Sequence, residues 1–186
     1  MIDATPQPVY GGSLRVTART AGSGRGATVS RELEREAAGA IDRPAGLSVL
    51  GDAVETARRE VPAHLREAHG SGRRVVGYGA PARSITFLNA LGVGPELLPY
   101  TVDRAAAKHG RMIPGVRIPI LEPAALAAEP PDEILVLAWD LAPEIRASLA
   151  IPELSGTRFL VAVPRLADVA ASEPGGERPA EGDVVR

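Results

Sequence analysis

The chain has 186 residues, a formal net charge of −2, no cysteine, and 45% hydrophobic residues against only 3% aromatic ones. Its length suits one domain with flanking segments, and its near-neutral charge argues against a nucleic-acid-binding domain, which is usually clearly basic. The lack of cysteine excludes a disulfide framework, a thiolate zinc site and a cysteine nucleophile.

The start, "MIDATPQPVYGGS", has neither a basic n-region nor an apolar h-region. No run reaches the roughly 18 apolar residues a membrane span needs. The expectation is a cytoplasmic chain with no membrane contact. Residues 1–46 read as a lead-in: a short strand in "YGGSLRVTA" (10–18), a Gly/Ser/Arg-rich linker in "RTAGSGRGATVS" (19–30), and a marginal helix in "RELEREAAGA" (31–40).

From Leu47 the pattern sharpens. Leu47, Leu50, Val54, Ala57, Val61, Leu65 and Ala68 recur at three- and four-residue steps and predict one apolar helix face, kinked or split at Pro62 and stopped at "GSG" (70–72). "RRVVGYG" predicts a buried strand, and "PARSITFLNALG" a helix with Pro81 in its first turn and Gly92 at its end. Ile85, Leu88 and Leu91 should face the sheet. "LLPYTVD" (97–103) is a second strand, starting late or lying near an edge because of Pro99. "RMIPGVRIPI" is a loop with a short extended piece, and "EPAALAAEPP" a brief helix. "DEILVLAWD" holds the strongest strand, "APEIRASLA" a helix, and "TRFLVAVP" (157–164) the last strand. Residues 170–186, rich in Pro, Gly and acid, predict a disordered tail.

Strands separated by short helices predict an α/β domain over 47–169, with a mostly parallel sheet of about four to five strands and helices on both faces. A ligand site in such a sheet lies off the carboxyl ends of the strands. Here those ends are Gly77 to Ala82, Val102 to Arg104, Trp139–Asp140 and Val163–Pro164.

"GYGAPA" (77–82) satisfies G-x-G-x-x-A, a form of the dinucleotide fingerprint. Its glycines would permit a tight turn, and the helix that follows would offer N–H groups to an anion. The same turn also serves as a plain strand-to-helix connection, and Pro81 removes one N–H from any cradle. Asp103 either binds a ribose hydroxyl or caps "RAAAKHG". Arg83, Lys108 and Arg111 are candidates to lie beside a pyrophosphate, or are solvated surface charges. Trp139 stacks on a base or packs on the sheet. Asn89 reads as an internal hydrogen-bonder, His64 and His69 as surface histidines, and His109 as a loop residue between two cations. Glu122 and Glu144 open helices. No Ser/His/Asp set is spaced for nucleophilic catalysis, and no metal site is expected.

Taken together, "GGSLRV", "GYGAPARSITFLN", "VDRAAAKHGRMIPGVRIPI" and "ILVLAWD", in this order over roughly residues 10–164, resemble the C-terminal domain of the nucleotide-sugar C-methyltransferases. Those enzymes use S-adenosylmethionine (SAM) to methylate deoxysugar carbons. The matching family stretches are H-G-G-S-x-R, G-Y-G-A-P-A-K-G-N-T-x-L-N, D-x-x-x-x-K-x-G-x-x-x-P-G-x-x-I-P-I and a strand ending in W-N. The resemblance implies a Rossmann-like three-layer α/β/α domain that helps close over a nucleotide-sugar, with the zinc-binding and SAM-binding domains of the family lacking here. It implies substrate contacts from Gly77, Tyr78, Gly79, Ala80, Arg83, Asp103, Lys108, Arg111, Trp139 and Asp140. Tyr10 stands where the family usually has His, Arg83 replaces Lys, Ser84 and Ile85 replace Gly and Asn, and Asp140 replaces Asn. A tyrosine, with its ordinary pKa near 10, is a poor base at neutral pH.

The expectation is a stand-alone domain that binds a nucleotide-sugar, dTDP-linked sugars among them, or assists a separately encoded SAM-dependent methyltransferase. It would not methylate by itself, and SAM would enter only through a partner domain. The alternatives are an NAD(P)-type dinucleotide-binding domain of an oxidoreductase, using Gly77, Gly79 and Asp103, and a remnant interaction domain with no ligand.

Overall fold

The computed structural model describes residues 1–7, 12–22, 24–41, 43–163 and 165–169. The expectations for Tyr10 and for the tail at 170–186 fall outside the described residues.

Strands β1 (Asp3–Gln7) and β2 (Ser13–Thr17) pair antiparallel, Ala4 opposite Val16, and helix α1 (Ala27–Ala38) packs on β1. Thr28 ties the helix start to the first strand. Its hydroxyl donates to Asp3 at 2.9 Å and accepts from the Ala4 amide at 3.1 Å. The sequence reading missed β1, since "DATPQ" carries no alternation, and began the first helix four residues late.

Helix α2 (Pro44–Gly70) continues through Pro62 as one element, so the expected split does not occur. Its second half buries Ala57, Val61, Leu65 and Ala68, and that packing offsets the proline's local cost of ~3 kcal/mol. Its first half extends past the core, leaving Leu47 55% and Val54 48% exposed.

The main sheet has six strands in the order β5-β4-β3-β6-β7-β8. They are β3 (Val75–Tyr78), β4 (Thr101–Val102), β5 (Ile120–Leu121), β6 (Glu133–Val136), β7 (Arg158–Val161) and β8 (Ala167–Asp168). All neighbours are parallel except β7 and β8. The count exceeds the expected four to five, and β7 is not the last strand, because two-residue strands such as β5 and β8 have no sequence period to read. Pro99 makes β4 start late, at Thr101, and leaves it inside the sheet beside β5.

Alternation along the central strands divides the core. Val75, Leu135 and Leu160 face one layer, where α2 and α3 (Ala82–Leu91) pack through Leu65 and Leu88. Val76, Ile134 and Phe159 face the other, where α4 (Ala124–Ala128) and α5 (Ala142–Ser148) pack through Leu126 and Ile145. This is the expected Rossmann-like three-layer arrangement. Gly92 ends α3 in the left-handed conformation at φ 63°.

His64 is not a surface histidine. Its Nε2 stands 2.5 Å from Glu133, whose side chain is 1% exposed at the amino end of β6. Among the described residues no helix is long and apolar enough to cross a membrane.

Candidate functional site

Strand order reverses at β3. The chain moves from β3 outward to β4 and β5, then returns to the other side of β3 as β6. The carboxyl ends of β3 and β6 therefore diverge into the crevice where open α/β sheets hold ligands. A cavity of about 440 Å³ lies there, on the α5 face of the sheet. Tyr78 ends β3 and Gly79 follows it, Asp103 and Arg104 follow β4, Lys108 lies in the next turn, and Glu144 and Ser148 come from α5.

The glycine turn in this crevice is organised by the fold itself. Gly77 pairs with Thr101 across β3 and β4, and a Cβ on Gly77 would meet Thr101 Oγ1 at 2.7 Å. The Thr101 hydroxyl donates to the Gly79 carbonyl at 2.9 Å, and Gly79 sits at φ +90°. The Gly79 amide donates to the Val102 carbonyl at 2.6 Å, and the Ala80 amide to Asp103 Oδ2 at 2.7 Å. Pro81 has no N–H. The Gly79 and Ala80 amides of the turn are thus engaged internally.

Asp103 is engaged on both carboxylate oxygens. Oδ2 takes the Ala80 amide and the Lys108 ammonium at 2.8 Å, and Oδ1 takes the Ala105 amide at 2.8 Å. The Ala105 bond is an Asx-type turn at the start of the 104–110 segment, while the short helix that follows is not capped by the Asp103 side chain. Burial works to raise the carboxyl, but Lys108 and the amides of Ala105 and Ala80 outweigh it and hold it below the usual carboxylate range. Lys108 also donates to the Ala80 carbonyl at 3.0 Å. His109 Nε2 lies 2.7 Å from the Asp103 carbonyl.

Tyr78, 4% exposed, lines the crevice together with Ser148, whose hydroxyl donates to the Ile145 carbonyl at 2.8 Å. Burial pushes the Tyr78 hydroxyl up, and nearby Arg104 pulls partly against it. Sequence reasoning named Tyr78, Gly79, Asp103 and Lys108, which the fold brings together, and Ala80, which joins them through its backbone. It missed Arg104 and Ser148 as site residues. Arg104 was legible as the residue that follows Asp103 at a strand end. Ser148 is brought to Tyr78 only by the packing of α5 on the sheet.

Arg83, Trp139 and Asp140 form a separate cluster. Arg83 pairs with Asp140, and its guanidinium lies 4.9 Å from the Trp139 ring centroid. Trp139 meets Phe87 edge-on at 5.7 Å, on the α2/α3 side of the sheet. The two departures from the family pattern, Arg for Lys and Asp for Asn, are therefore partners of each other. Arg111 is exposed before the Met112–Pro119 bridge and does not line the crevice. Asn89 holds the Pro114 carbonyl at 2.9 Å, as an internal hydrogen-bonder should. Among the described residues no group of three or more His, Asp or Glu is placed to hold a metal ion.

Residues 8–164 match the C-methyltransferase C-terminal domain family, and the chain belongs to that family. A curated relative, the C-methyltransferase NovU of Streptomyces niveus, is 31% identical over 166 residues, which are 88% of this chain. The match spans only 40% of that relative's length. Among solved structures, UDP-D-quinovosamine 4-dehydrogenase from Vibrio fischeri aligns with a TM-score of 0.40 and 21% identity, covering 53% of this chain and 93% of the other. A likeness of that extent fixes neither ligand nor reaction.

Proposed function

We propose that the chain forms the nucleotide-sugar side of a C-methylation site, with the methyl donor held by a separate domain or partner protein. The observation that carries this reading is the crevice at the reversal of strand order, which Arg104 and Lys108 line together with the hydroxyl-bearing Tyr78 and Ser148. Membership of the C-methyltransferase C-terminal domain family supplies the chemical context. In this reading Arg104 meets a phosphate with its fork of N–H donors. Lys108 adds charge while remaining tied to Asp103, and the two hydroxyls offer a donor and an acceptor to sugar or base. The chain transfers no methyl group alone, and dTDP-linked sugars are the first class to try.

Titration of the full chain with thymidine diphosphate by calorimetry tests the proposal, with NAD and S-adenosylmethionine as parallel ligands. Micromolar binding of the thymidine nucleotide alone, about −8 kcal/mol, is the expected result, weakened at least tenfold in Arg104→Gln. Binding of NAD instead restores the dinucleotide reading. Silence with all three overturns autonomous binding and leaves a site completed only by a partner, or a remnant domain.

A further inference from the structure

A second cavity, of about 280 Å³, lies on the opposite face of the sheet from the crevice, between α2, α3 and the carboxyl ends of β6 and β7. Its walls include Ala57, Phe87, Leu91, Trp139 and Val163, and Arg58 is the single charged group in the lining. Arg83, although it stacks on the same tryptophan, is neutralised by Asp140. Arg58 is exposed and has no acidic partner among the described residues. The cavity thus offers an apolar, aromatic-walled interior with a guanidinium at its rim that no described acid pairs.

We propose that this cavity binds a small amphipathic anion: one planar ring on a short carboxylate stem, the ring against Phe87 and Trp139 and the carboxylate on Arg58. Volume limits the occupant. A cavity of about 150 Å³ lined by aliphatic and aromatic side chains holds benzene, and drug-sized sites begin at about 300 Å³, so the space here fits one ring with a few further atoms. Charge sets the polarity. A neutral ring gains only the apolar contact, whereas a carboxylate also gains a charge-assisted bond to a guanidinium that no acid among the described residues neutralises. This inference stands apart from the nucleotide-sugar reading, since the cavity and the crevice lie on different layers of the domain.

Trp139 is the chain's single tryptophan and lines this cavity, so selectively excited tryptophan fluorescence reports ligand entry there. The full chain is titrated with phenylacetate and, separately, with its neutral analogue phenylacetamide. The expected result is a saturable change with both, the acid binding about tenfold tighter than the amide. Arg58→Gln, at an exposed position, should bring the two affinities together while leaving the circular dichroism spectrum unchanged. Ala57→Leu, which fills the cavity from α2, should abolish both. The proposal is overturned by the lack of any saturable response to phenylacetate, or by an acid preference that survives Arg58→Gln. A Trp139 signal that follows protein concentration without ligand also overturns it, since a second copy of the chain would then cover the opening.

Discussion

Gly77 faces Thr101 so closely that a Cβ on the glycine would stand 2.7 Å from the threonine hydroxyl and 2.8 Å from its Cβ. The threonine in turn holds the Gly79 carbonyl. The glycine is therefore required by the packing of β3 on β4 before any ligand is considered. Gly77→Ala should cost about 1–3 kcal/mol of stability, the usual penalty for overpacking a core, read as a lower urea midpoint at an unchanged slope. A variant of wild-type stability that loses thymidine diphosphate binding would show instead that the glycine serves ligand approach.

Asp103 predicts a pH dependence with a definite sign. Its folded carboxyl lies below the usual carboxylate range, so its contribution is complete above the unfolded pKa and fades as pH falls through the folded one. Asp103→Asn keeps the shape but loses the charge-assisted bonds to Lys108 and the two amides. The variant should be about 1–3 kcal/mol less stable at pH 7. That gap should close progressively once the solution drops below about pH 4. A gap that stays constant from pH 7 to pH 2.5 would show that the carboxylate charge contributes nothing.

Much of the sheet was legible because "VVGYG" and "EILVLA" are continuous apolar runs bounded by turn residues, and the helix after "GYGAPA" carries a clean three-to-four spacing. The crevice was legible at the level of strand ends. What the sequence hid is what tertiary packing decides. Nothing in local spacing shows that Asp103 turns back onto the Ala80 amide, or that Arg83 closes on Asp140 across 57 positions. Nor does a histidine on a polar-looking helix stretch reveal that it will meet a glutamate buried 69 positions away. Pro62 shows the same limit from the other side: the local rule against proline in helices is correct, and the buried face that follows it overrides the rule.

Tyr100 predicts a substitution that does no harm. Its hydroxyl is buried without a hydrogen-bond partner among the described residues, and burial pushes it up from its ordinary value while Arg74 pulls partly against that. An unpaired buried hydroxyl carries its desolvation cost with nothing to offset it. Tyr100→Phe should leave thermal stability unchanged or raise it by up to about 1 kcal/mol. A loss of that size or more would mean that the hydroxyl has a partner in solution.

Glu133 is the most buried charge in the described sheet, 1% exposed, and three cationic or ionisable groups converge on it. Arg73 reaches it from the turn before β3, Arg158 at 3.0 Å from β7, and His64 at 2.5 Å from α2. Arg158 also holds Asp168 of β8 at 3.0 Å, so the cluster ties the last strand to the sheet. A buried carboxylate is tolerable only while its partners remain, and here it has three, of which Arg158 is the most exposed at 50%. Glu133→Gln keeps the volume and removes the charge, and should cost about 2–3 kcal/mol. Arg158→Ala should cost roughly 1 kcal/mol or less, because Arg73 and His64 still face the carboxylate. Urea unfolding of both variants separates the cases. If Arg158→Ala proves as damaging as Glu133→Gln, one arginine holds the carboxylate and the other two contacts are incidental to stability.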